Sequence, residues 1–316
     1  MIRWGFIGCG DVVEHKSGKP FWVDGQSEVV AVMCRNIDSA KVFAEKYNIA
    51  DYYDDASKLI ANPNVDAIYI ATPPSTHMPY AKEVINAGKP VYVEKPMGMN
   101  GVECQEVVDL AREKGVPLFV AYYRRGLPYF QAVKKMIDDG EIGQVRSVNI
   151  THYTGKPRAN EPYWRREADI SGGGLFHDLG CHTLDVLDYI VGPIAEVYGM
   201  HANQRDLYDT EDIVIANFKF ENGVYGTGNW CFEASDKKEQ VDIVGNDGRI
   251  EFSVYSFNKL KVIKNGECKE IEIASPDFVQ EPLIHNVIST LRGETTPLST
   301  GETAVRTTRV IDAITK

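Results

Sequence analysis

The chain has 316 residues, 43% hydrophobic and 25% charged, an ordinary globular composition with length enough for two domains, each with its own core. Its net charge of −11 is unsuited to a nucleic-acid or anionic-membrane surface, since both would repel it. No run of about 18 apolar residues could span a bilayer, no basic leader precedes the first apolar run, and the six cysteines form no CxxC pair, so a cytoplasmic setting with reduced thiols is expected.

Up to residue 123, short apolar runs (2–8, 28–34, 66–71, 89–94, 117–123) alternate with helical patterns (39–47, 57–62, 77–88, 100–115). This alternation predicts an α/β domain, a doubly wound parallel sheet covered on both faces. Gly88 and Gly115 suit the left-handed position that closes a helix. The first apolar run leads into GFIGCGDV, where Gly8 and Gly10, with Asp11 and Val12 following, form a candidate pyrophosphate loop. Val13 stands where such loops carry a third Gly or Ala. Ser17-Gly18-Lys19-Pro20 interrupts the first helix, which is expected to be short or displaced.

The second run ends in Cys34-Arg35-Asn36. NAD sites usually place an acid here for the ribose 2′-hydroxyl, whereas a guanidinium suits a 2′-phosphate. Arg35 therefore predicts NADP(H) as the preferred cofactor, with NAD(H) as the alternative. ATPPSTH (71–77), with Thr72, Pro73 and His77, and VEKPMG (93–98), with Glu94 and Lys95, end the next two runs. Ligands of open parallel sheets bind beyond the carboxyl ends of the strands, so both loops are expected at one crevice. Pro96 keeps Lys95 out of helical backbone geometry and helps aim its side chain. Tyr122, Tyr123 and Arg124 end the fifth run near the same place.

From there the pattern becomes period-two strands with Asn222-Gly223, Asp247-Gly248 and Asn265-Gly266 as hairpin turns. The expected division is a nucleotide-binding domain over 1–121 and an α+β domain over 122–316 with a largely antiparallel, open-faced sheet. Alternation puts Val224, Gly226, Gly228, Trp230 and Phe232 on one face, and Tyr225, Thr227, Asn229 and Cys231 on the other. The first set should pack on helices. The second is flat and semi-polar, which suits a symmetric interface and predicts a homodimer or higher homo-oligomer.

Before those strands lies GGGLFHDLGCHTLDVLDY (172–189), a glycine run feeding a helix with ionisable groups on its inner half. Asp178 and His182, four residues apart, share a face if the segment is α-helical. Taken alone, the pair reads as intrahelical partners more readily than as a site. A zinc site from His177, Cys181 and His182 is disfavoured, because adjacent Cys181 and His182 point about 100° apart and no further ligand motif appears. No metal is expected.

In order, GFIGCGDV, VDAIYIATPPSTH, GKPVYVEKPMG and GGGLFHDLGCHTLDVLDYIVG resemble the glucose-fructose oxidoreductase/inositol dehydrogenase (Gfo/Idh/MocA) family over nearly the whole chain. Trp164-Arg165 ahead of the glycines is similar to its NADP-dependent anhydrofructose reductase, dihydrodiol dehydrogenase and xylose dehydrogenase branches. The resemblance implies a Rossmann domain, a second domain whose open sheet mediates assembly, and hydride transfer between nicotinamide and a carbonyl or hydroxyl carbon of a sugar, keto-sugar or polyol. It matches Lys95, Asp178 and His182 to the family's catalytic residues. His182 would exchange a proton with the substrate oxygen, and Asp178 would orient His182 or a neighbouring substrate hydroxyl. Lys95, across a cleft, would stabilise the developing charge or donate the proton itself. Trp164 and Arg165, with Tyr122 nearby, would line the substrate pocket. Two other outcomes share the fold: an NAD-recycling glycoside hydrolase and a non-catalytic dinucleotide-sensing regulator.

Overall fold

The computed structural model describes residues 1–155, 163–257 and 259–316. The chain forms two compact units, Met1–Gly126 with Pro276–Val305, and Leu127–Ser275 with Arg306–Lys316.

In the first unit, β1 (Ile2–Ile7), β2 (Ser27–Met33), β3 (Asp51–Tyr53), β4 (Ala67–Ile70), β5 (Val91–Val93) and β6 (Leu118–Val120) form a sheet ordered β3-β2-β1-β4-β5-β6. All its pairs are parallel. Both faces are covered, so β4 and β5 are buried at every residue and read as continuous apolar runs. The cover is α1 (Ile37–Tyr47), α2 (Ala56–Ala61), α3 (His77–Asn86) and α4 (Gly101–Lys114). Asn36 and Asn100 cap α1 and α4, each carboxamide oxygen accepting two backbone N–H groups.

The interrupted first helix is a π-helical turn, Val13–Ser17, followed by a 3-10 turn, Lys19–Phe21. Pro20 brings Phe21 down onto the sheet, where its ring stands edge-on to Trp4 and Phe6 at 5.0 and 4.8 Å and lies 5.0 Å from Tyr69. Aromatic packing here replaces the cover a longer helix would give.

The second unit holds α5 (Pro128–Asp138), β7 (Val145–Tyr153), α6 (Ala168–Ser171), α7 (Cys181–Ile190), β8 (Ile194–Ala202), β9 (Ile213–Phe220), β10 (Tyr225–Cys231), β11 (Lys238–Gly245), β12 (Arg249–Phe252), β13 (Lys259–Lys264) and β14 (Glu267–Glu272). The sheet order is β14-β13-β12-β11-β7-β10-β9-β8, antiparallel except between β7 and β10. Along β10 the alternation is as expected, with Gly226, Gly228 and Trp230 buried and Tyr225 and Thr227 exposed. The outer face carries Tyr198 and Met200, each 73% exposed, and Tyr225 at 63%.

Where the change of pattern suggested one continuous second domain over 122–316, the chain instead returns to the first unit at Pro276. There α8 (Glu281–Leu291) buries Leu283, Ile284, Val287 and Ile288, and Gly126 lies so close to Leu283 that a Cβ would stand 2.8 Å from its backbone nitrogen. An amphipathic helix looks the same in sequence whichever core it covers. Helix α9 (Gly301–Thr315) begins in the first unit and ends in the second, where Arg306 grips the buried Asp188 of α7 through two bonds of 2.8 and 2.7 Å. Among the described residues no helix is long and apolar enough to cross a membrane.

The link between β8 and β9 is tied down by Asp212, whose carboxylate accepts the N–H groups of Gln204 and Arg205 at 2.9 and 2.7 Å. Beside it, burial and then the charge of Asp212 push the Glu211 carboxyl from 4.5 up to about 7. Between these values the folded chain holds a proton that the unfolded chain releases, so this group costs stability as pH rises through the window. Glu211→Gln is therefore expected to gain up to about 2 kcal/mol over the parent at pH 8 and nothing at pH 4, read by urea unfolding at both. The same gain at both pH values would count against a buried titrating carboxyl.

Candidate functional site

The strand order reverses on either side of β1, the place where open α/β sheets bind ligands. Gly8 leaves β1 with φ +99°, and a Cβ there would stand 2.5 Å from the Ala71 carbonyl oxygen, so only glycine fits. Gly10 is glycine for a different reason. It is exposed, and nothing lies within 4 Å of where its Cβ would be, so a side chain would fill only the open space above the loop. A pyrophosphate needs that space to approach the backbone. Asp11 is exposed and pairs with His15 at 3.0 Å in solvent, a contact of little energetic weight, while Val12 is partly buried. Arg35 is exposed beyond β2, and the first acid after it, Asp38, gives its N–H to the Asn36 cap. The loop and its rim thus fit a dinucleotide, with Arg35 as an exposed cation beyond β2.

Thr72 and Pro73, both partly exposed, follow β4, and the Thr72 hydroxyl bonds Thr76 at 2.8 Å. His77 is fully buried, with Nε2 2.7 Å from the Thr72 carbonyl oxygen and Nδ1 2.9 Å from that of Pro96. Burial lowers its pKa, against the pull of the two carbonyls. His77 therefore clamps the loop after β4 to the loop after β5 and presents no surface to a ligand. Glu94, 6% exposed, is also an internal strut. Its Oε1 accepts from the Tyr69 hydroxyl and the Gln280 amide, each at 2.7 Å, and its Oε2 from the Lys95 N–H at 3.2 Å. Lys95, next along and partly exposed, is the residue of this pair with access to solvent. Tyr122 is 1% exposed, inside the core of the first unit.

In the second unit the glycine run is required sterically. Gly174 has φ +87°, and a Cβ there would collide with the Thr210 hydroxyl. The following Phe176–Gly180 is π-helical, and α-helix begins only at Cys181. The α-helical spacing expected between Asp178 and His182 therefore does not apply across this turn. Arg165 Nε lies 3.3 Å from Asp178 Oδ2, and the guanidinium carbon sits 4.8 Å from the centre of the Trp164 ring. Trp164, Arg165 and Asp178 are thus brought together as one group. His182, 5% exposed, stands edge-to-face with the Tyr255 ring at 6.3 Å, and Tyr255 also stacks on His152 at 4.6 Å.

Three of these neighbours, Gln280, His152 and Tyr255, were not singled out from sequence. Gln280 stands 186 residues from the carboxylate it bonds, and no local motif marks such a contact.

Comparison with known proteins agrees with this architecture. Residues 2–122 match the model described as oxidoreductase family, NAD-binding Rossmann fold, and residues 130–251 match the GFO/IDH/MocA C-terminal domain. The chain is 37% identical to Oxidoreductase P35 of Formosa agariphila, over 98% of this chain and 97% of the relative. It is 26% identical to 1,5-anhydro-D-fructose reductase of Ensifer adhaerens, over 96% and 92% of the two chains. Levoglucosan dehydrogenase in complex with NADH and levoglucosan has the same fold, with a TM-score of 0.88 at 22% identity over 99% of this chain and 96% of that one. The fold, the glycine loop and these matches together make the chain an oxidoreductase of the GFO/IDH/MocA family.

Proposed function

We propose that this oxidoreductase uses NADP(H), with NAD(H) as the weaker alternative, to interconvert a carbonyl and a hydroxyl carbon on a sugar, keto-sugar or polyol. The observation that carries the reading is the company kept by the ionisable residues. Lys95 leaves β5 beside the anchored Glu94, Asp178 is held by Arg165 next to Trp164, and His182 is packed against Tyr255. The anhydro-keto-sugar named as the substrate of the Ensifer adhaerens relative supports reduction of a sugar carbonyl.

Bound nicotinamide supplies or accepts the hydride. His182 exchanges the accompanying proton with the substrate oxygen, because imidazole is the side chain whose unperturbed pKa lies nearest neutrality. Lys95 donates to the same oxygen and stabilises the negative charge that develops there. Asp178, oriented by Arg165, accepts a bond from a substrate hydroxyl or from His182. Trp164 offers an apolar face to the C–H side of a sugar ring. Glu94 and His77 act indirectly, by holding the loops on which Lys95 and Thr72 sit. Tyr122, being buried, receives no substrate contact.

Arg35 carries the cofactor preference, since its guanidinium can form charge-assisted bonds to a 2′-phosphate. The outer face of β8, β9 and β10, where Tyr198, Tyr225, Glu196 and Lys219 line a shallow hollow, supports a self-associating surface. A symmetric homodimer would cover it.

Three outcomes test this reading. Fluorescence titration of nucleotide-free protein should give tighter binding of NADPH than of NADH, and Arg35→Ala should weaken NADPH by about tenfold or more while leaving NADH unchanged. Preference of the parent for NADH would sink the cofactor argument. His182→Gln should bind NADPH like the parent and reduce keto-sugars with a kcat lower by on the order of 10² or more; full activity would remove His182 from the proton path. Light scattering at micromolar concentration should report a dimer or larger assembly, and a monomer would refute the self-association surface.

A further inference from the structure

We infer that Tyr255 is a positioning residue for His182, an assignment that rests on the reading of His182 as the proton-exchanging group. The hydroxyl and the ring of Tyr255 grip the same short segment at two points. Its hydroxyl donates to the carbonyl oxygen of Leu179, inside the π-helical turn, and its ring meets the His182 imidazole edge-to-face, at 6.3 Å and 80°. A π-helical turn leaves carbonyls less regularly paired than an α-helical one, and Tyr255 caps one of them three residues before the imidazole it touches.

Tyr255 is itself held in place. Glu239 of β11 accepts from the Ser253 hydroxyl, from the Val254 N–H at 2.8 Å and from the Tyr255 N–H at 3.3 Å. Ser253 Oγ in turn accepts from the Ser256 N–H at 2.7 Å, closing a tight turn around Tyr255. The tyrosine ring also stacks on His152 of β7, at 4.6 Å and 27°, and His152 stands edge-on to Phe232 at 6.0 Å. His152 and His182 are each 5% exposed, so both imidazoles sit in close packing beside the partly buried Tyr255.

The consequence for chemistry is orientation. The χ2 torsion of a histidine is broad and roughly two-fold, so its neighbours decide which ring nitrogen faces the substrate. The Tyr255 ring removes that freedom for His182, and the hydroxyl fixes the backbone from which α7 starts. Tyr255 acts through His182 and not on the substrate.

Histidine-selective NMR together with kinetics tests the assignment. The chain has seven histidines, and the His182 imidazole signal is identified by its loss in His182→Gln. Tyr255→Leu is expected to move that signal and to lower kcat by tenfold to about 10²-fold, with KM changed by less than about threefold. Tyr255→Phe, which keeps the ring but loses the bond to Leu179, is expected to move the signal less than Tyr255→Leu and to lower kcat by less. A folded Tyr255→Leu protein with an unmoved His182 signal overturns the assignment, as does Tyr255→Phe damaged as badly as Tyr255→Leu. Should Tyr255→Leu fail to fold, Glu239→Gln loosens the same anchor, and an unmoved His182 signal there is equally decisive. If the parent reduces no sugar with either nucleotide, the proton-exchange role of His182 fails, and the NMR comparison alone still decides whether Tyr255 positions it.

Discussion

A carboxyl group buried at the end of a strand has to find hydrogen-bond donors, and the three that meet Glu94 organise the first unit. Tyr69 comes from the neighbouring strand β4, Gln280 from the start of α8, and the third donor is the Lys95 backbone itself. Burial, and then the charge of Glu94, raise the Tyr69 phenol well above its ordinary pKa, so it stays a donor across the physiological range. Its oxygen also lies 2.9 Å from Ser17 Oγ, at the end of the π-helical turn that replaces the first helix. One buried carboxyl thus links the broken helix, the adjacent strands β4 and β5 and the returning C-terminal segment. It also sets where Lys95 leaves the sheet.

The second unit meets a similar demand with rings. Its glycine run and π-helical turn give up regular helical pairing so that Asp178 and His182 can be held by different partners. A polar side chain on a regular α-helix would have its neighbours four residues away. Here Asp178 is held by Arg165 from the segment before the glycines, and His182 by Tyr255 from beyond β12. Both candidate catalytic groups therefore meet partners from outside their own helical turn. The asymmetry between Gly8 and Gly10 is of the same kind: the first is imposed by packing against Ala71, the second only by the space above it.

Much of this was legible in the sequence, for identifiable reasons. A parallel sheet covered on both faces produces continuous apolar strands, and a half-covered antiparallel sheet produces alternation, so both sheets could be read from hydrophobic period alone. The interrupted first helix was readable because Pro20 cannot continue one. Among site residues, Gly8 and Gly10 form the turn after β1, and Trp164, Arg165 and Asp178 are brought together in the second unit. His77, Glu94 and Tyr122 were drawn toward the ligand by their neighbours in sequence, and burial assigns His77 and Glu94 to struts and Tyr122 to core.

Local chemistry, acting over a few residues, is what the sequence by itself determined: which segments are strands or helices, where the turns fall, and which short motifs carry ionisable groups. Only the tertiary structure decided that Pro276–Val305 rejoins the first unit, that Gln280 supports Glu94, and that the turn bearing Asp178 is π-helical. It alone also decided that Tyr255 meets both His152 and His182. These depend on contacts between residues far apart in the chain, and no periodicity or spacing within a segment encodes its partner. The identity of a donor that completes a buried group is set by which elements pack together, after each has formed.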